Sequence, residues 1–193
     1  EHRLGHHARV GTALDPATAR MGESFYRFLL RTLPGQWISG FRLAGRKKDA
    51  LPAGNFVLLG TMLSLLMLVL LFITEPVLAK AFLLSSAVAV FLLEYVNYIE
   101  HYGLYRQKRE NGNYETVKRK HSWNSNHVIG RVVLFELSRH SDHHFKADRP
   151  YQLMETSEDS PVMPTGYPGM MLLSFIPPIF FMVMNKHVNK ALQ

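Results

Sequence analysis

Histidine is the residue type in this sequence whose spacing could support chemistry. Ten histidines occur among 193 residues that contain no cysteine. One group lies in residues 1–7 (EHRLGHH) and another in residues 140–144 (HSDHH), so each contains histidines three or four residues apart. This spacing aligns imidazoles on one face of a helix. Because neutral imidazole binds zinc, copper, iron and nickel, the pattern predicts metal binding and leaves the metal open.

Seven histidines are candidate ligands. In an α-helix His2 and His6 share a face, whereas His7 is rotated by about 100° from His6 and can point at a second ion. The second group repeats this geometry. Zinc sites usually close at four ligands, so seven imidazoles are too many for one ion and suggest a dinuclear centre. The candidates are His2, His6, His7, His101, His140, His143 and His144.

Side chains near these histidines are candidate hydrogen-bond partners of the ligand rings. A carboxylate can accept the ring N–H that faces away from a metal and so fix the tautomer. Glu1, Glu100 and Asp142 each adjoin a candidate ligand. His121 and His127 lie six residues apart in a segment with Trp, Asn and Ser, so they would not share a helix face. We interpret both as hydrogen-bonding or pocket-lining residues.

The elements that must position these groups include two long apolar segments. Residues 56–73 carry no charge and approach the roughly 20 residues needed to cross a bilayer. Residues 77–99 carry one lysine and one glutamate, near opposite ends. Glu75-Pro76 separates the two. The pattern predicts an all-α membrane protein with a transmembrane helical hairpin and a histidine-rich helical region; a buried hairpin in a soluble protein is the alternative.

Basic residues are concentrated on both sides of the hairpin, in a chain of net charge +7. By the positive-inside bias, residues 1–50 and 100–160 should be cytoplasmic. The basic residues before the hairpin are Arg42, Arg46, Lys47 and Lys48. Those after it are also candidates for docking an acidic electron carrier, with topology or lipid contact as the alternative role. They are Arg106, Lys108, Arg109, Lys118, Arg119 and Lys120.

The sequence divides into four segments. Residues 1–50 carry the first histidine group, residues 51–104 the hairpin and residues 105–160 the last group. Residues 161–193 include two adjacent prolines, which break a helix, so we expect an interfacial or interrupted apolar helix and a tail there. The absence of cysteine excludes a disulfide framework, a thiolate zinc site and a Cys-held iron–sulfur centre within this chain.

With these residues in view, the sequence resembles the bacterial integral-membrane alkane 1-monooxygenases, members of the histidine-box superfamily that includes membrane fatty-acid desaturases. The resembling stretches are EHRLGHH with the following DPATARMGESFYRF, then NYIEHYGLYRQ, HSWNSNH and LSRHSDHHFKADRPYQLM. NYIEHYG and HSWNSNH favour the alkane hydroxylases over the desaturases. The resemblance covers essentially the whole sequence, but only the C-terminal half of such an enzyme.

The resemblance implies a non-haem diiron site, held by the seven histidines as iron ligands. It lies on the cytoplasmic side of a multi-pass protein of the bacterial inner membrane, and zinc can replace lost iron. The implied reaction inserts one atom of dioxygen into a terminal C–H bond of a linear alkane. Electrons come from NADH through a flavin reductase and rubredoxin.

The family also has an earlier HExxH box and further transmembrane helices, whereas no such HxxxH pair precedes His2. We therefore expect a C-terminal portion that needs an N-terminal half and is inactive alone. The alternatives are a xylene monooxygenase, a fatty-acid hydroxylase or desaturase, and a non-enzymatic histidine-rich membrane module that binds zinc or copper. Membrane lipid is an expected partner and nucleic acid is not.

Overall fold

The computed structural model describes residues 1–45 and 55–193, which form a helical protein. The predicted Arg46, Lys47 and Lys48 flank and the boundary between residues 1–50 and 51–104 lie outside these residues. A π-helical turn spans His2–His6, and 3-10 turns span Arg119–His121 and Tyr151–Leu153. The α-helices are α1 His7–Arg9, α2 Phe25–Ala44, α3 Phe56–Thr74, α4 Pro76–His101, α5 Val128–Val133, α6 His140–Phe145, α7 Tyr167–Ser174 and α8 Pro177–Ala191. The all-α prediction is confirmed.

Helices α3 and α4 form the predicted hairpin. The Asn55 side chain caps α3 by accepting the N–H groups of Val57 and Leu58. Pro76 starts α4, where its missing N–H costs nothing. Both helices are long and apolar enough to cross a membrane. Because α3 has no fully buried residue, most of its leucine-rich surface is exposed, as expected for a membrane protein.

The end of α4 is buried, in contrast to its beginning. From Glu94 onward nearly every side chain is enclosed, in an aromatic core with α2 and α8. The Tyr95 and Phe25 ring centroids lie 3.9 Å apart, and those of Tyr98 and Phe180 lie 5.3 Å apart. This helix therefore leads from an exposed apolar end to a packed interior, where it ends at His101.

The C-terminal apolar stretch forms two helices instead of one. Helix α7 ends at Ser174 and α8 begins at Pro177, because Pro177 and Pro178 have no N–H to continue the first helix. Buried Phe180, Met184 and Val188 recur every four residues along α8. One apolar face of α8 thus covers the aromatic core.

We expect Gly103→Ala to lower the free energy of unfolding by about 2 kcal/mol or more. Gly103 has φ +73°, and an added Cβ would lie 2.8 Å from Cγ2 of Val188. Thermal unfolding in detergent measures the effect. Gly112→Ala is the matched control, since Gly112 has φ +80° and open space around it. An equal loss in both variants would refute the packing contribution.

Candidate metal centre

The first histidine group consists of the π-helical turn and His7, which directly follows it. The backbone N–H of His7 bonds to the carbonyl of His2, a bond between residues five apart. The π-helix is defined by this longer bonding, which brings residues five apart together. The Nε2 atoms of His2 and His7 accordingly lie 3.2 Å apart. This corrects the α-helical expectation that His2 acts with His6.

Four buried histidines from three elements come together. His6 ends the π-helical turn, His101 ends α4, and His140 and His144 lie one turn apart on α6. Nε2 of His140 lies 3.0 Å from Nε2 of His101 and 2.9 Å from Nε2 of His144. One ligand nitrogen from each of the four rings lies within 4.8 Å of the others. We call these four residues the buried group.

His2, His7 and His143 form a second set, here called the outer group. The ring centroids of His7 and His143 lie 4.6 Å apart. His2 is exposed, and the other two are half-buried. The two groups adjoin, because the ring centroids of His7 and His144 are 4.4 Å apart. Adjacent residues in each sequence motif therefore belong to different groups.

Histidines of both groups have a lowered pKa and are held neutral. Burial, followed by repulsion between neighbouring imidazoles, lowers the pKa of His140 and His144 well below the ordinary value. The same two effects lower the pKa of His7 to about 3 and that of His143 to about 4. A neutral imidazole keeps a lone pair free, which is the form that binds metals.

The donor atoms fit bound metal ions. Nε2 of His6 is buried and finds no hydrogen-bond partner among residues 1–45 and 55–193. An unsatisfied buried polar atom costs about 1–3 kcal/mol. The Nε2 atoms of His101, His140 and His144 also converge. Because a neutral ring has only one N–H, these three nitrogens cannot all be satisfied by hydrogen bonds to one another. A cation would accept their lone pairs together.

We expect the metal-free protein to lose stability as the pH falls from about 7 toward 4. The folded pKa values of His7 and His143 are lowered to about 3 and about 4, so between these values and the ordinary 6.5 the unfolded chain binds more protons. Stability therefore rises with pH in this window. Differential scanning fluorimetry of the metal-free protein measures the trend. His7→Asn should flatten it, and an unchanged slope in that variant would contradict the assignment.

Asp15 holds one ligand ring in place. Its Oδ2 lies 2.8 Å from Nδ1 of buried His6 and also accepts the Thr18 hydroxyl at 2.6 Å. A carboxylate here makes Nδ1 the protonated nitrogen and leaves Nε2 free for a metal. Sequence reasoning missed this role, because Asp15 lies in a turn outside any helical spacing. Ser122 Oγ lies 3.4 Å from Nδ1 of His101 in a comparable position.

Glu100 is placed differently from the sequence expectation. Its Oε2 lies 3.2 Å from Nε2 of His140, the nitrogen that faces the other histidines. The outward Nδ1 of His140 has no partner within the described part of the chain. Glu100 therefore lies on the metal-facing side of the ring.

Glu1 and Asp142 bind arginines instead of ligand rings, which corrects their expected role. Arg9 donates to Glu1 Oε1 at 2.7 Å. Asp142 accepts bonds from Arg119 at 2.7 Å and Arg149 at 2.8 Å. Guanidinium is always charged and forms stronger bonds with carboxylates than neutral imidazole does. Burial opposes ionisation of Asp142, but these bonds and that from the backbone of Glu155 lower its pKa.

His121 and His127 lie apart from both groups. His121 is buried; its Nδ1 accepts the Lys118 N–H at 3.0 Å, and its Nε2 lies 3.1 Å from Glu115 Oε1. His127 is exposed and packs over Gly166. The structure gives neither one contact with a candidate ligand ring, so their expected role beside the ligands is corrected.

Four of the six candidate docking residues form hydrogen bonds or ion pairs within the chain. Arg106 donates to the carbonyls of Ala8 and Glu115, and Arg119 donates to Asp142. Lys118 lies 3.2 Å from Glu115, and Lys120 lies 3.9 Å from it. The remaining two, Lys108 and Arg109, are exposed.

Comparison with known sequences finds one matching family and several similar proteins. The sequence model of the fatty acid desaturase family matches residues 1–173. The chain is 43% identical to an alkane 1-monooxygenase of Ectopseudomonas oleovorans, over 97% of this chain and 48% of that protein. It is 45% identical to alkane 1-monooxygenase 1 of Pseudomonas aeruginosa, over 98% of this chain and 51% of the relative.

A more distant relative is the hydroxylase component of a xylene/toluene monooxygenase from Pseudomonas putida. It is 26% identical over 96% of this chain and 50% of the relative. The chain spans about half the length of the curated relatives it matches.

Proposed function

The chain belongs to the fatty acid desaturase family, and we propose that it is the C-terminal part of a membrane non-haem diiron monooxygenase that hydroxylates the terminal carbon of linear alkanes. The observation that carries this proposal is the convergence of seven histidines into two adjoining groups. Identities of 43% and 45% to proteins named alkane 1-monooxygenase favour this substrate over the aromatic hydrocarbons of the 26% relative.

The two groups would hold two iron ions. His6, His101, His140 and His144 would bind one, and the outer group would bind the other. When bound, non-haem iron supplies the activation of dioxygen and the oxidising power that an unactivated C–H bond requires. Zinc also binds imidazole but has no redox chemistry, so zinc replacement would inactivate the protein.

The residues of this chain prepare the site in three ways. Burial keeps His140 and His144 neutral and excludes water from their metal-facing atoms. Asp15 orients His6 through its Nδ1. The apolar hairpin brings the site beside the bilayer, which both dissolves an alkane and provides a hydrophobic approach for a substrate with no polar group.

We propose that the outer group is completed by residues of the longer protein. It contains three histidines, one of them exposed, whereas the buried group contains four enclosed ones. An HExxH box in an N-terminal half would supply the additional ligands, and further transmembrane helices would form the rest of the substrate channel. We accordingly expect no turnover from residues 1–193 alone.

Basic flanks support a cytoplasmic site in a multi-pass protein of the bacterial inner membrane. Arg42 precedes the hairpin and Lys108 and Arg109 follow it, whereas the turn at Glu75 is acidic. Positive charge near membrane spans is retained on the cytoplasmic side. The histidine groups lie at the same end of α4 as the second flank.

We propose that rubredoxin delivers electrons, reduced by NADH through a flavin reductase. A chain without cysteine holds no Cys-ligated iron–sulfur centre itself. Lys108 and Arg109 are the docking residues best placed by exposure, and Lys118 and Lys120 follow later in the same basic segment. Charge attraction of this kind accelerates association with an acidic carrier.

Charge reversal at the docking surface should slow electron delivery. We expect Lys108→Glu with Arg109→Glu to reduce the bimolecular rate of reduction by rubredoxin about 10-fold at low salt. Stopped-flow absorbance of rubredoxin measures this rate, and high salt should erase the difference. Lys186→Glu, at an exposed position on α8, is the control. A rate independent of both salt and the double substitution would exclude this surface.

Product analysis of the full-length protein tests the proposed activity. With dioxygen, NADH, reductase and rubredoxin, a linear alkane should give the primary alcohol, measured by gas chromatography with mass spectrometry. A double bond would indicate a desaturase, and a benzylic alcohol formed only from xylene would indicate the aromatic enzyme. Stoichiometric zinc without iron, in cells supplied with both metals, would instead favour the non-enzymatic metal-binding module.

A further inference from the structure

A tyrosine and a glutamate form a buried pair beside the buried group. The Tyr167 hydroxyl donates to Glu100 Oε1 at 2.5 Å. Glu100 is 1% exposed and Tyr167 is 4% exposed. Tyr167 is the first residue of α7, which packs against α4. This bond therefore connects the C-terminal apolar region directly to the helix that carries His101.

The other oxygen of Glu100 faces the converging ring nitrogens. Oε2 lies 3.2 Å from Nε2 of His140, which itself lies within 3.0 Å of Nε2 of His101 and of His144. The carboxylate is thus directed at the same point as the imidazole lone pairs. The two oxygens of Glu100 have separate contacts, since Oε1 accepts the hydrogen bond of the Tyr167 hydroxyl and Oε2 faces the histidines.

In the described part of the chain, no basic side chain supplies positive charge to the Glu100 carboxylate. Within residues 1–45 and 55–193, Glu100 contacts no lysine or arginine, whereas Asp142 has two arginines. A buried carboxylate without a cation is strongly unfavourable. A metal ion bound by the buried group would supply that charge where Oε2 already points. A hard carboxylate oxygen is also a common ligand for iron beside histidine.

We propose that Glu100 is a carboxylate ligand of the ion in the buried group and that Tyr167 is the positioning residue that holds it there. The inference rests on the metal centre of the proposed function and extends it to residues outside the histidine motifs. The Tyr167 bond fixes the carboxylate rotamer, so that Oε2 remains directed at the ion. Helix α7 then contributes to metal retention as well as to packing.

The test is metal retention by the full-length holoprotein in detergent. Release of iron to an excess chelator is followed by absorbance, and the bound iron is followed by Mössbauer spectroscopy. Tyr167→Phe removes only the hydroxyl and should weaken one of the two iron populations about 10–100-fold, the usual cost of losing a hydrogen bond to a ligand. Glu100→Gln should weaken the same population at least as much and change its Mössbauer parameters.

Two controls separate positioning from folding. Tyr95→Phe removes another α4–α7 hydroxyl bond, from Tyr95 to the Met171 carbonyl at 2.9 Å, and should leave iron retention unchanged. Because Tyr167 acts through Glu100, the double variant should retain iron no worse than Glu100→Gln alone. If Tyr167→Phe fails to fold, iron retention by Glu100→Gln still tests whether Glu100 is a ligand.

Normal iron retention and unchanged Mössbauer parameters in folded Glu100→Gln would overturn the proposal. Additive losses in the double variant would overturn the positioning role of Tyr167. Neither readout depends on which hydrocarbon is oxidised, so failure of the proposed activity is distinguishable from failure of this inference.

Discussion

His140→Ala should abolish alkane hydroxylation and remove iron from the buried group. His140 is central to that group, because its Nε2 lies within 3.0 Å of the Nε2 atoms of both His101 and His144. We expect iron to fall from about two ions per polypeptide to about one or fewer, since loss of a ligand weakens binding and exposes the remaining polar atoms. Elemental analysis and product formation measure the two effects.

Histidines outside the two groups provide the controls for this result. His127→Ala changes an exposed histidine close in sequence, and His187→Ala changes one on α8 whose ring bonds to the Val183 carbonyl. Both variants should retain iron and activity. Full activity in His140→Ala would refute the ligand assignment, whereas iron loss in all three variants would indicate a general folding defect.

Asp15→Asn should lower iron affinity about 10–100-fold, the range observed for carboxylates that orient a ligand histidine. The substitution keeps the size of the side chain but removes the charge that fixes the His6 proton on Nδ1. Chelator competition measures the affinity. Because the fold should be largely retained, excess iron should restore much of the activity, unlike in His140→Ala.

The matched control for Asp15 is Asp148→Asn. Asp148 pairs with Arg3 at 3.1 Å, but both side chains are highly exposed, so the pair contributes little. Iron affinity should not change in this variant. Equal affinities for Asp15→Asn and the wild-type protein would mean that His6 is oriented by packing alone.

Local sequence patterns predicted the hairpin well. Uninterrupted apolar residues define α3, and Pro76 marks the start of α4, because both signals act within a few residues. The interrupted C-terminal helix also follows from local chemistry at Pro177. These helix boundaries can be predicted without knowing which distant residues pack against them.

The composition of the metal centre was less predictable, because it depends on tertiary competition. Neighbouring arginines take the carboxylate of Asp142, although it adjoins His143 in sequence. Asp15 reaches His6 from a turn eight residues beyond the first motif. Sequence adjacency indicated which residues were near a ring, but not which atom each one would contact.

The π-helical turn makes the spacing of the first motif intolerant of length changes. Deleting Leu4 would reduce the separation of His2 and His7 from five residues to four. Four residues is the hydrogen-bond spacing of an ordinary α-helix. His6 would then lie three residues after His2 and share its helix face, so the separation of His6 from the outer group would be lost. We therefore expect homologous sequences to show insertions and deletions within residues 2–7 less often than substitutions at Leu4, which is 73% exposed.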